Sequence, residues 1–238
     1  MTARTLRLRP FALIALAGLL VALPGCGGGG AQTAQTLPPG DRNDALAPRD
    51  SFEASQEVVI SADTHCAAGR FAENAGNLPQ AMDQYQKALK LRPNHPEALF
   101  RTAVVQVKMR NLPAAIETWN KYVNVTRGDA TAYANLGFAY ELSGRTHDAE
   151  MAYLKAIKRD PANIVARTNY GLMLARKERF NEATLQLQTV MTRADVHYNL
   201  ASVLEELGRR EQAKIEYRKA LDIDPQMADA KDRLAALQ

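Results

Sequence analysis

The chain holds little that suits covalent or metal chemistry: two cysteines, four histidines and one tryptophan in 238 residues. Two cysteines cannot build a disulfide framework. His65, His95, His147 and His197 fall in separate stretches, and none belongs to a His-Glu-x-x-His or Cys/His spacing, so no metal site is expected. There is no Gly-x-Ser-x-Gly elbow and no Ser-x-x-Lys, which argues against the familiar hydrolase nucleophiles. The run Gly27-Gly28-Gly29-Gly30 has no strand before it and no Gly-Lys-Ser/Thr after it, so it is not a phosphate loop. These absences predict a protein without cofactor or metal that is not an enzyme. The longest apolar run, Phe11 to Leu23, is about 13 residues and short for a bilayer span. Excess charge is also scarce. The formal net charge is +4, but Arg4, Arg7 and Arg9 supply three of those charges in a stretch without acids. The remainder of the chain is nearly neutral, and nucleic acid is not an expected partner.

Three arginines before a short apolar run have the form of an export leader. The leader ends Leu23-Pro24-Gly25-Cys26, which resembles the lipobox of bacterial lipoproteins, although Pro24 is unusual in its place. The resemblance implies that residues 1–25 are removed and that Cys26 becomes an acylated first residue, anchoring the chain to a membrane. An ordinary cleaved signal peptide with a chance cysteine is the alternative. Gly27 stands where an Asp would resemble an inner-membrane retention signal, which favours the periplasmic side of the outer membrane, with the inner membrane as the other choice. Residues 26–61 then read as the lipidated cysteine and a Gly- and Pro-bearing tether. As a flexible coil its roughly 30 residues span about 30 Å.

From residue 62 onward the pattern becomes helical and repeats. It is clearest in Tyr133-x2-Leu136-Gly137-x2-Tyr140, then Ala149-x3-Tyr153-x2-Ala156, then Pro161. The first group shares one helix face, Gly137 permits a second helix to approach, and Ser143-Gly144 and Asp160-Pro161 stop the two helices. This pattern resembles the tetratricopeptide repeat (TPR), a helix–turn–helix unit of about 34 residues. The resemblance covers 62–95, 96–129, 130–163, 164–193 and 194–227, with 228–238 as a capping helix. It implies an all-α fold, a right-handed α-solenoid of about five repeats. Repeat one is loosened by His65 and Ala68, and its Cys66 is expected as a small buried residue rather than an intermolecular disulfide. Repeat two departs at Arg110, Tyr122 and Arg127, and Tyr122 should push its helices apart. Trp119 is expected in the core. Repeat four runs about four residues short, which should alter the stacking there. Asn124-Val125-Thr126 matches a glycosylation sequon, a reading that a bacterial leader disfavours.

A TPR array offers a concave face lined by the first helix of each repeat. The sixth place of repeats three to five holds Asn135, Asn169 and Asn199, and repeat two has Arg101 there. An asparagine ladder at this place resembles TPR superhelices that grip an extended peptide, since an amide both donates to and accepts from a backbone. Asparagine is also common there in the consensus. Phe100, Val104, Phe138 and Leu172 occupy places that face the groove in the family, so its middle is expected to be apolar and to take a peptide or amphipathic helix of a partner. A second copy of the chain or its own tether is the alternative occupant. The expected function is a lipid-anchored adaptor for protein–protein interaction in the bacterial envelope. A pilotin-like pilus or secretin assembly factor, a carbohydrate or peptidoglycan module, and a cytoplasmic adaptor with a misread leader are the alternatives.

Overall fold

The structure, a computed structural model, describes residues 60–237. The leader, Cys26 and the tether up to residue 59 lie outside the described residues. Among the described residues eleven α-helices succeed one another: α1 (Ala62–Asn74), α2 (Leu78–Leu91), α3 (Pro96–Lys108), α4 (Leu112–Val125), α5 (Ala130–Leu142), α6 (Thr146–Arg159), α7 (Ile164–Arg176), α8 (Phe180–Leu187), α9 (Arg193–Glu206), α10 (Arg210–Ile223) and α11 (Ala228–Ala236). Consecutive helices pair as antiparallel hairpins, and each hairpin packs on the next.

Each hairpin's first helix begins at a side-chain cap. Ser61, Asp129, Asn163 and Thr192 each accept the backbone N–H three residues on, which satisfies one of the open donors of the first turn. In α3 the cap is His95, buried, whose Nδ1 lies 3.2 Å from the Ala98 nitrogen. An amide N–H can only donate, so Nδ1 accepts and the ring hydrogen sits on Nε2, directed to Asp63 Oδ1 at 2.8 Å. This contact ties α1 to the start of α3.

Inside the hairpins of repeats one, three and four, a glycine in the first helix meets a large side chain from the second: Tyr85, Tyr153 and Leu187. A Cβ added to Gly137 would lie 2.8 Å from the Tyr153 ring, so the close crossing of α5 and α6 requires the bare backbone. Ala81, Ala115, Ala149, Ala183 and Ala213 are fully buried where the second helices cross back. Tyr85, Tyr153 and Tyr217 are fully buried beside them.

Repeat two is the exception. Phe100 turns inward and makes edge-on contacts with Trp119 (5.2 Å between ring centres) and Tyr122 (5.6 Å). Tyr122 holds the space that a small residue fills elsewhere, and α3 does not stack on α5 as α5 stacks on α7 and α7 on α9. Phe100 and Val104 are 2% and 3% exposed, which corrects their assignment to the groove. The physical reason is the opening made by Tyr122: it leaves a space between α3, α4 and α5 that apolar side chains fill in preference to facing water.

Repeat four carries the other irregularity. Its second helix, α8, stops at Leu187 after eight residues, where the other second helices run to fourteen. Contact between α8 and α9 is correspondingly thin. At the end, α11 buries Ala230 and Leu237 against α9 and α10 and presents Asp229, Lys231 and Asp232 to solvent. That polar outer face closes the stack.

Candidate functional site

The concave face is built from the first helices, and residues seven apart on a helix share a face. Arg101 and Lys108 therefore lie together on α3, Asn169 and Arg176 on α7, and Asn199 and Glu206 on α9. Asn135 stands at the matching place of α5, with Phe138 and Glu141 after it.

The asparagines are not equivalent. Asn135 is only 4% exposed and forms no side-chain hydrogen bond among the described residues. Its amide atoms are nonetheless absent from the sealed, partnerless polar atoms, so they keep contact with the surface. Asn169 is half-buried and likewise forms no side-chain hydrogen bond. Asn199 is already engaged: its Nδ2 donates to the Asp195 carbonyl at 2.8 Å. The structure thus leaves two amides of the ladder open and takes up the donor of the third.

The expected apolar middle of the groove is narrower than the sequence implies. With Phe100 and Val104 inside the core, only Phe138 and Leu172 stay half-buried; Phe138 packs against the clusters on either side of it. Ala134 beside them is fully covered.

Charged side chains that the sequence pattern does not single out fill the rest. Tyr85, Tyr153 and Tyr217 each reach twelve residues back to a glutamate: Tyr85 to Glu73 (2.9 Å), Tyr153 to Glu141 (2.9 Å) and Tyr217 to Glu205 (3.1 Å). Each glutamate is then met by a base from the next hairpin or the cap. Lys108 Nζ lies 2.6 Å from Glu73, Arg176 Nη1 3.0 Å from Glu141, and Arg233 Nη2 3.0 Å from Glu205. Arg176 also spans to Glu206 at 3.1 Å. Burial pushes the Glu141 carboxyl up, against the downward pull of Arg176 and the Tyr153 hydroxyl. Burial also raises the Tyr153 phenol, and the neighbouring Glu141 charge adds to it. The signal for these pairs in the sequence is the repeated twelve-residue Glu-to-Tyr spacing. The fold signature includes the tyrosine place and ignores the glutamate place.

Repeats two and four break this rule together. Trp119 and Leu187 replace the tyrosine, and Val107 and Ala175 replace the glutamate. The Trp119 indole N–H is accordingly buried without an acceptor. Arg101, one hairpin on from Glu73, sits 3.7 Å from that carboxylate, and its Nε–H is also buried without a partner.

Away from the asparagine places, shallow clefts lie between the hairpins of the described residues. One of about 340 Å³ is lined by Phe180, Leu200, Leu204, Gln212, Ile215 and Glu216, where the short α8 leaves α9 and α10 uncovered. Another, about 260 Å³, takes in the equivalent Leu136, Tyr140 and Met151 of repeat three. Among the described residues no cluster of His, Cys, Asp or Glu is arranged to hold a metal ion, and no helix is long and apolar enough to cross a membrane.

Comparison with known proteins agrees with this architecture. Residues 60–160 match the family described as the middle TPR-like domain of cilia and flagella-associated protein 70, and residues 194–227 match the tetratricopeptide repeat family. The small glutamine-rich tetratricopeptide repeat-containing protein 2 of Mycosarcoma maydis is 28% identical over 130 residues, 55% of this chain and 36% of that protein. The chain therefore spans only about a third of that relative's length. The structure of MamA (41-end) from Desulfovibrio magneticus RS-1 is 29% identical, with TM-score 0.51, over 56% of this chain and 75% of that one. YrrB, described as a TPR protein with an unusual peptide-binding site, is 22% identical with TM-score 0.52 over 73% of this chain and 91% of its own, a likeness of fold. Signature residues, hairpin packing and these likenesses agree: the described residues form an all-α tetratricopeptide-repeat solenoid.

Proposed function

We propose that this chain is a scaffold that holds an extended segment of a partner protein in its concave groove, and that Cys26 tethers it to a bacterial envelope membrane. Asn135 carries the reading: it is a covered amide with no hydrogen bond of its own, placed one hairpin from the half-buried and likewise unbonded Asn169. An amide that no protein group takes up and that keeps a small opening to the surface can exchange its water for the backbone of a bound segment. Phe138 and Leu172 give the segment an apolar floor between the two amides. MamA, YrrB and the glutamine-rich TPR protein support the reading as relatives built from the same repeats. Phe100 and Trp119 are buried and offer no platform to a glycan.

The test is in-cell crosslinking of the full chain and identification of its partners. Asn135→Ala with Asn169→Ala, and separately Phe138→Asp, are expected to lose the same partners at unchanged protein level. Cys26→Ser is expected to release the chain from the membrane fraction without changing which partners bind in extracts. Partner recovery that is indifferent to all three groove substitutions sinks the groove assignment. Membrane association that survives Cys26→Ser sinks the anchor.

A further inference from the structure

The groove is charge-ordered along its length. At its repeat-one and repeat-two end, three bases (Arg70, Arg101 and Lys108) face two acids (Glu73 and Glu97). Glu97 is occupied by Arg70 at 3.2 Å, which leaves Glu73 as the sole carboxylate for Arg101, Lys108 and the Tyr85 hydroxyl. Arg101 is the member left short, with a long 3.7 Å approach to Glu73 and a buried Nε–H that no atom accepts. Further along, the balance reverses. Glu141 and Glu206 share the single base Arg176, and Glu206 keeps a side chain 48% exposed. Asn135 and Asn169 stand between the positive end and Glu206.

From this ordering we infer that the groove selects a peptide with a fixed charge polarity. The segment carries an acidic group, a side chain or a terminal carboxylate, that docks at Arg101 and Lys108. It carries a basic side chain that reaches Glu206 near Arg176, with the backbone between them on Asn135 and Asn169. Arg101 stands at the asparagine place of repeat two, and because α3 does not stack on α5 it meets the segment beyond the regular row, as a charge and not as a further backbone-reading amide. The Arg101 Nη groups are not sealed and form no hydrogen bond, so this edge of the planar guanidinium suits a carboxylate, and a charge-assisted bond at a partly covered site is stronger than one in open water. The inference rests on the groove reading above and adds to it the chemistry and orientation of the ligand.

The experiment is selection from a random decapeptide phage library on the immobilised full chain. It is run in parallel on Arg101→Gln, on Lys108→Glu, on Glu206→Lys and on Asn135→Ala with Asn169→Ala. Lys108 and Glu206 are partly exposed, and circular dichroism melts accompany each variant so that loss of fold is not read as loss of binding. The expected result is enrichment of peptides with an acid and a base separated by several residues. Acid enrichment should fall at least tenfold on Arg101→Gln and turn to base enrichment on Lys108→Glu, and base enrichment should disappear on Glu206→Lys. Enriched peptides that depend on the two asparagines but show no charge order overturn this inference and leave the groove reading standing. A chain that enriches nothing dependent on those asparagines overturns both. Enriched peptides that match the chain's own residues before Ile60 assign the groove to the chain itself. A dimer by light scattering that Lys108→Glu dissociates assigns it to a second copy, and either result overturns the inference.

Discussion

The Tyr153 hydroxyl donates to Glu141 Oε2 across 2.9 Å, joining the closest point of one hairpin to the ion pair that leads to the next. Glu141 also accepts from Arg176, so a single carboxylate links the α5–α6 crossing to α7. The same link recurs through Glu73 and Glu205. Repeats two and four replace both members with apolar residues, so the solenoid alternates polar and apolar hairpin seams.

Removing the hydroxyl isolates its contribution. Tyr153→Phe keeps the ring under Gly137 and leaves the covered carboxylate with one donor fewer. A loss of about 1–3 kcal/mol is expected, as for a buried acceptor left short. Urea unfolding monitored by circular dichroism measures it. A melt unchanged from the parent would mean that water replaces the hydroxyl and that the seam is not polar-locked.

The hairpin crossings and turns make opposite demands on backbone freedom. Gly137→Ala places a Cβ 2.8 Å from the Tyr153 ring, so the helix-propensity gain of about 1 kcal/mol is expected to be outweighed and the protein destabilised. Arg110 and Glu178 are non-glycine residues at φ 62° and 63°, in turns where the odd repeats have glycine. Arg110→Gly and Glu178→Gly are expected to stabilise by up to about 1 kcal/mol, with Glu178 offset by its lost contact to Arg209. Thermal midpoints of the three variants check the pair of signs at once.

Most of the fold is legible in the sequence because its signature names the residues that touch. Gly137 and Tyr153, or Ala149 and Ala156, say which helices cross and how closely. Phe100 misleads because its place faces a groove only when successive first helices stack regularly. Tyr122 ends that regularity between α3 and α5, and a place rule cannot see the space a tyrosine opens in a neighbouring layer. The glutamates escape notice for a different reason. A charge on a helix normally reads as solvated surface, and only the distance to a tyrosine twelve residues on shows Glu141 to be covered and partnered. The amide of Asn199 cannot be assigned from its place either, since Asp195 and its carbonyl lie one turn away and claim the donor.

Acid should weaken the fold through specific carboxylates. The His95 hydrogen bond holds Asp63 below the usual carboxylate range, and the Tyr170 hydroxyl and Arg179 do the same for Glu150. A carboxyl whose folded value is lowered favours the folded state above its unfolded pKa, and that contribution is lost as pH falls through the lowered value, below about 4. Glu141 runs the other way: burial raises it above 4.5, so its contribution is complete below that value and is lost as pH rises through the raised one. The two windows are separate: above about pH 4.5 only Glu141 acts, so the thermal midpoint is expected to rise slightly as pH falls from neutral toward 5, and the lowered carboxylates make it drop below about 4. Glu150→Gln is expected to lower the midpoint at neutral pH and to shrink the acid drop. Melts over a pH series decide it, and an acid drop of full size in Glu150→Gln would rule that carboxylate out.

Cys66 gives a direct reading of both the fold and the anchor. It is 2% exposed, and burial pushes its thiol up to about 11, with Glu97 and Asp63 adding to the shift. At pH 8 roughly one thiol in a thousand is then ionised, on the order of a hundredfold fewer than for a free cysteine, and access is restricted as well. Reaction with a thiol reagent is therefore expected to be slow in the native protein and complete in denaturant. Cys26 is the other cysteine of the chain, and a diacylglycerol thioether on its sulfur would remove it from the count. Protein extracted from membranes should titrate as one thiol per denatured chain, slow before unfolding. Two thiols, one of them reacting fast under native conditions, would show that Cys26 is unmodified, and the membrane tether would have to be abandoned.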